Sequence, residues 1–250
     1  MGWRIFIHSL RQVFGNLEGA LRVSAVLTLL QALITLSATQ MPVPDSTGPG
    51  IGPSVVSTLA SLVNAFLGIW LMVGWHRYIL LNERPGLVPT MRRDRILGYF
   101  GKAMLTVLIA VTPFFVLVVV LNAAGLTFFR MRPNDGNLLS ALPTLLIMLP
   151  FAVVFTRLAT VLPGAALKAG VPLFTGWAAT RGHTEAIFIV VFLSMLGSLV
   201  LTLVSGYLFE DPLSLLAQLA MVPVNWVETM VSASILTTLY GHYVERRALL

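Results

Sequence analysis

The 250-residue chain contains no cysteine and few charges. The first absence removes disulfides, iron–sulfur clusters, thiolate zinc sites and cysteine nucleophiles, and leaves the redox compartment without a mark in the sequence. The second is as informative. Charged residues make up 10% of the chain, against about 25% in a typical soluble domain. Apolar residues make up 57% and the mean hydropathy is +0.88. A soluble fold of this size must still cover its surface with polar groups. The composition therefore excludes an ordinary cytosolic enzyme, a disordered chain and a nucleic-acid-binding module. Walker loops, GxSxG elbows, HExxH motifs and zinc-ligand clusters are also missing. What these absences leave is a polytopic membrane protein, read here as non-catalytic and without a cofactor.

A helix needs about 20 apolar residues to cross the hydrocarbon layer. Six runs qualify: Leu21 to Ala38, Val55 to Leu81, Gly98 to Leu126, Leu138 to Leu162, Thr184 to Phe209 and Leu213 to Tyr240. They are continuous, without the short alternating segments of β-barrel strands, so the expected class is an all-α bundle of six transmembrane helices in one domain over 21–250. Pro113, Pro143, Pro150 and Pro223 sit in or near the runs and predict kinks.

Basic residues orient the bundle. With a cytoplasmic N-terminus, every one of the 16 lysines and arginines except Arg130 and Arg132 lies at or near the inner side, while Asp45, Asp135, Glu210 and Asp211 fall outside. Both termini are then cytoplasmic. The region before the first run is too long for a signal peptide, and Ser37-Ala38-Thr39 is a poor cleavage site, so the first span is read as retained.

Ahead of that span, Trp3, Ile7, Leu10, Phe14, Leu17 and Leu21 recur at helical steps, with Arg4, His8, Arg11, Glu18 and Arg22 on the other face. This pattern predicts an amphipathic helix over 1–20, lying in the headgroup layer with its arginines toward anionic lipid.

The second and fourth spans end alike. Arg77 is followed by Pro85-Gly86 and Val88-Pro89, and Arg157 by Pro163-Gly164 and Val171-Pro172. Each set predicts a Pro-Gly break and a short helix opened by Val-Pro. The two hairpins would be a parallel repeat of 55–126 and 138–209. The second copy carries a longer pattern, in which Arg157, Pro163, Trp177, Thr180, Arg181 and Gly182 take fixed places over about 30 residues. It resembles a pattern in bacterial six-helix inner-membrane proteins that are similar to the membrane domain of some glycerophosphodiester phosphodiesterases. The resemblance implies a six-helix bundle in a bacterial inner membrane. It implies no catalysis, because the hydrolase chemistry of those fusions resides in a separate soluble domain.

Glu228 stands near the middle of the sixth span, where an ionised carboxylate costs several kcal/mol unless paired or protonated. Asn225, Thr229 and Ser232 share roughly its face, and Arg157, Arg77, Asn64 and Asn122 are candidate partners. Trp75 and His76 close the second span as interface residues, with haem or pigment ligation by His76 as the alternative. Arg92, Arg93 and Arg95, with Lys102, read as headgroup contacts, as do Trp177 and Arg181. Ser194, Ser198, Thr202 and Ser205, beside Gly197 and Gly206, give the fifth span a small face suited to close helix packing.

The first functional expectation is an accessory, assembly or scaffold component acting through helix faces, in contact with membrane lipids and with other subunits or a second copy, and not with nucleic acid. The second is a transporter or channel for a small molecule or lipid built on the Glu228 site. The third is a pigment- or haem-binding subunit using His76.

Overall fold

The computed structural model describes residues 1–40, 53–84, 86–124, 138–167, 170–209, 211 and 213–249. Asp45, Pro85, Arg130, Arg132, Asp135, Lys168, Glu210 and the last residues of the third run lie outside them. The described residues are mostly helical, with no strand among them. In chain order the helices are α1 (Gly2–Phe14), α2 (Leu17–Thr39), α3 (Pro53–Leu81), α4 (Arg93–Ala123), α5 (Leu138–Ala159), α6 (Leu162–Leu167), α7 (Thr175–Ala179), α8 (Thr184–Leu208) and α9 (Leu215–Leu239). A π-turn over Tyr240–Val244 follows α9. Six stretches are long and apolar enough to cross a membrane, so the chain is a multi-pass membrane protein.

The chain enters and leaves the bundle at one end, here called the base. It holds the start of α2, the end of α3, the start of α4, the end of α5, the start of α8 and the end of α9. The three apolar clusters of the core lie in the base half. One joins Val13, Val23, Leu27, Leu71, Trp75 and Met230, between α1, α2, α3 and α9. A second joins Ile5, Val153, Ile187, Val190, Ile235 and Leu239, between α1, α5, α8 and α9. The third joins Val73, Ile96, Tyr99, Ala159, Leu162 and Ala166, between α3, α4, α5 and α6. Toward the open end, Leu59, Leu62, Leu108, Phe115, Val120, Val200 and Val204 are exposed, the surface that lipid would cover.

The predicted amphipathic helix is present but ends at Phe14, not residue 20, and α2 starts at Leu17. Asn16 between them is non-helical, at φ −136° and ψ 47°. Its amide exchanges two hydrogen bonds with the Tyr78 hydroxyl of α3, at 2.9 and 3.1 Å. A Cβ on Gly19 would collide with that same hydroxyl. Trp3, Phe14, Leu17 and Leu21 are exposed, as an apolar face turned to lipid must be. A third face that the sequence reading missed, Gly2, Ile5, Ser9 and Val13, is buried. It docks α1 across α8 and α9, so close that a Cβ on Gly2 would collide with the Ala186 carbonyl.

The Pro-Gly break of the second copy is displaced. Pro163 and Gly164 lie within α6, and the chain turns earlier, at Thr160 and Val161. α6 (LPGAAL) is buried along Leu162–Ala166, and Gly164 meets the Tyr240 ring with no room for a Cβ. In the first copy, Val88-Pro89 opens no helix. Pro89 folds back along α3, where its carbonyl accepts from Trp70 Nε1 at 3.1 Å and its ring packs on Gly74.

Candidate functional site

The stripe expected around Glu228 divides between two grooves. Asn225 and Thr229 face a cleft shared with α2 and α3. Glu228 and Ser232 face a separate groove of about 250 Å³ between α1, α8 and α9, beside Phe6, Ser194, Gly197 and Ser198. Neither arginine expected to partner Glu228 does so. Arg77 and Arg157 are bonded at the base, and Glu228 lies 11 residues short of the end of α9, about 16 Å along the helix axis. Glu228 has no hydrogen-bond or ion-pair partner among the described residues. Asn122 bonds its own helix, to the Val118 carbonyl.

The cleft is the more built of the two. It holds about 330 Å³ and is lined by Thr28, Gln31, Thr35, Asn64, Gln218, Asn225, Trp226 and Thr229, with Ala32, Leu36, Met221 and Val222 between them. None of these side chains is ionisable. Gln31 Nε2 donates to the Asn64 carbonyl at 3.0 Å, and Asn64 Nδ2 donates to Thr35 Oγ1 at 3.0 Å. These bonds orient Asn64 and leave its Oδ1 buried without a partner. Toward the base, Trp226 Nε1 donates to Ser24 Oγ at 2.7 Å and joins α9 to α2. Toward the open end, Thr39 Oγ1 donates to Gln218 Oε1 at 2.8 Å and joins the same two helices again. α2 and α9 are thus tied on either side of the cleft along their length. A buried acceptor with no partner costs about 1–3 kcal/mol, and Asn64 Oδ1 is such an acceptor.

No known protein family, curated protein or solved structure matches this chain. The role of each residue therefore rests on geometry.

Trp75 and His76 are not interface residues. Both are fully buried, at 0% exposure. Trp75 Nε1 donates to Ser234 Oγ at 3.2 Å, and Ser234 donates to Gln12 Oε1 at 2.9 Å. The Thr237 hydroxyl gives its proton to the Ala233 carbonyl, so it can only accept from His76 Nδ1 at 2.8 Å. That assignment puts the ring proton on Nδ1 and makes Nε2 the acceptor for the Tyr99 hydroxyl, 3.2 Å away. Both ring nitrogens are engaged, and a metal on Nε2 would have to displace Tyr99. Ser9 Oγ lies 3.1 Å from Thr238 Oγ1. Ser234, Thr237 and Thr238 of α9 thus bond α1 and α3, and His76 carries the network on to Tyr99 of α4. Sequence reasoning missed this network, whose only signal is the hydroxyl-rich stretch SASILTT.

The base arginines act on helix ends. Arg77 reaches the Ala166 carbonyl in the last turn of α6, Arg157 the Trp177 carbonyl in α7, and Arg247 the Leu80 carbonyl in α3, at 3.0, 3.2 and 3.1 Å. The last turn of a helix leaves carbonyls unpaired and carries partial negative charge, which a guanidinium satisfies. Arg157 also donates to Thr180 Oγ1 and stacks its guanidinium 3.9 Å over the Trp177 ring. This contact joins three residues of the Arg157–Gly182 pattern. Gly182 has φ +81°, in the left-handed region. Trp177 is therefore a partly buried platform for Arg157.

Glu83, which the sequence reading did not single out, receives Arg77 Nε at 2.7 Å and Arg92 Nη2 at 3.1 Å. Burial pushes the pKa of its carboxyl up, but the hydrogen bonds and charges of Arg92 and Arg77 outweigh burial and hold it below the ordinary value. Of the other headgroup candidates, Trp3, Arg4, Arg11, Arg92, Arg93 and Arg181 are exposed, and Arg95 pairs with Asp94 at 3.0 Å.

Proposed function

We propose that the protein is a non-catalytic integral membrane protein that binds the uncharged, hydroxyl- or amide-bearing part of a small molecule or lipid in the cleft between α2, α3 and α9. The observation that carries this reading is a membrane-embedded cleft lined by amides and hydroxyls, with the buried Asn64 Oδ1 left without a donor. A lining with no ionisable group supplies neither general acid nor base, which favours binding over catalysis. The proposal keeps the expectation of a small-molecule or lipid site and moves its centre from Glu228 to Asn64 and Asn225.

The same reading places the chain in a bacterial inner membrane with both termini cytoplasmic. Its support is the distribution of lysine and arginine and the resemblance of residues 157–182 to proteins of that membrane. A second reading, an accessory or scaffold subunit, draws on the groove where α8 presents Ser194, Gly197 and Ser198 beside Glu228. Small faces of this kind admit a neighbouring helix.

Native mass spectrometry of the gently extracted protein tests the cleft. The wild type is expected to carry an uncharged lipid or small molecule that Asn64→Leu and Asn225→Leu lose at unchanged helicity. Equal ligand occupancy in wild type and both variants would remove the cleft reading, and co-extraction with a defined protein partner would favour the second.

A further inference from the structure

The N-terminal helix carries a cavity that the cleft reading does not use. Trp3, Arg4, Ile7, His8 and Arg11 of α1 enclose about 260 Å³ together with Leu249, from the other end of the chain. Among the described residues the lining has two guanidiniums and an imidazole and no acid, and α1 itself contains no acidic residue. Arg4 and Arg11 make no hydrogen bond or ion pair among the described residues. Arg22, Arg77, Arg92, Arg95 and Arg247, by contrast, each lie within 4.0 Å of a carboxylate oxygen.

Position gives the cavity its chemistry. α1 lies across the base with Gly2 against Ala186 and Ile189, in the opening turns of α8. That is where a span emerges into the headgroup layer. Trp3, 58% exposed, stands at the cavity's edge with the amphipathic ring that favours this layer. Arg4 and Arg11 are seven residues apart on one face, about 10 Å along the axis, a separation that flexible arginine side chains close around a phosphate. Guanidinium matches phosphate oxygens in a two-bond fork. The Leu249 side is fixed as well. Arg247 ties the C-terminal segment to Leu80 and Gly241, and Leu249 packs on the Ile5–Ile187 cluster.

We propose that this cavity is a binding site for the phosphate of an anionic phospholipid, gripped by Arg4 and Arg11, with Trp3 and Leu249 against the glycerol and upper acyl region. It is independent of the cleft between α2, α3 and α9.

The test is native mass spectrometry of the full chain in mild detergent, titrated separately with phosphatidylglycerol, phosphatidylcholine and inorganic phosphate. Phosphatidylglycerol is expected to bind at least about tenfold more tightly than phosphatidylcholine, given the attraction of two basic residues for an anionic headgroup. The double variant Arg4→Gln/Arg11→Gln should lose that preference, while Arg4→Lys/Arg11→Lys keeps part of it. Leu249→Asp, which leaves both arginines in place and adds an acid beside them, should also weaken phosphatidylglycerol. It keeps the test open if the glutamine variant proves unstable. Equal binding of the two lipids, or an unchanged preference in both the glutamine and Leu249 variants, overturns the proposal. Displacement of phosphatidylglycerol by millimolar inorganic phosphate overturns the lipid assignment in favour of a free-phosphate site.

Discussion

Tyr99 and His76 show how little freedom a buried polar group has in this core. His76 Nε2 has the Tyr99 hydroxyl as its single donor, so Tyr99→Phe should strand an acceptor and lower stability by about 1–3 kcal/mol. Thermal unfolding in detergent measures this, and a midpoint equal to wild type would mean that the hydroxyl contributes nothing. Glu83 predicts a pH dependence. Its folded carboxyl titrates below the ordinary value of 4.5, so its stabilisation is present above that pH and is lost as pH falls through the lower folded value. The wild type should therefore lose stability below about pH 4.5 more steeply than Glu83→Gln, read from unfolding midpoints between pH 3 and 7. Glu228 has no partner among the described residues, so Glu228→Gln should leave the unfolding midpoint unchanged or raise it, whereas Arg157→Ala should lower it. A drop in Glu228→Gln as large as that in Arg157→Ala would show the carboxylate to be paired.

At the scale of elements, the spans were legible and their breaks were not. Apolar runs of about 20 or more residues carry their own boundaries, and all six expected spans begin or end within a few residues of the observed helices. α6 has only six residues, too few to show a period, and its apolar sequence merges with the span before it. The division of the Glu228 stripe was hidden for a different reason. At 100° per residue, Asn225, Glu228, Thr229 and Ser232 fall within an arc of about 100°, which one strip of sequence reads as a single face. The seam between two neighbouring grooves runs down the middle of that arc, and only tertiary packing locates a seam. The short helix also gives a sharp contrast between glycines. Gly164→Ala pushes a Cβ into the Tyr240 ring and should destabilise by about 1–3 kcal/mol. Gly101→Ala meets nothing within 4 Å in α4 and should be neutral or slightly stabilising by helix propensity.

At the scale of the molecule, the base holds the apolar clusters, the α9 hydroxyl network and the arginine contacts, and among the described residues the other half of the spans is held by fewer interactions. Six crossings place both termini and the Asn82–Arg92 connection on one side of the bilayer. The absence of cysteine makes this easy to check, because any single introduced thiol is the only one present. Gly86→Cys and Ala248→Cys should react with an impermeant maleimide from the same side, and Gln40→Cys from the opposite side. Labelling of residues 86 and 248 from different sides would refute the threading.

The bond from Arg247 to the Leu80 carbonyl joins residues 167 positions apart. The contact between Arg77 and Glu83 spans six and that between Arg157 and Trp177 spans 20. During translation these closures become available in succession, the first soon after α3 is made and the last when residue 247 emerges from the ribosome. Until then the terminal turn of α3 waits with an unsatisfied oxygen at the membrane surface. A ribosome stalled before that point would release a bundle with every span inserted and its final clasp undone, the form that a quality-control protease recognising frayed helix ends would meet first.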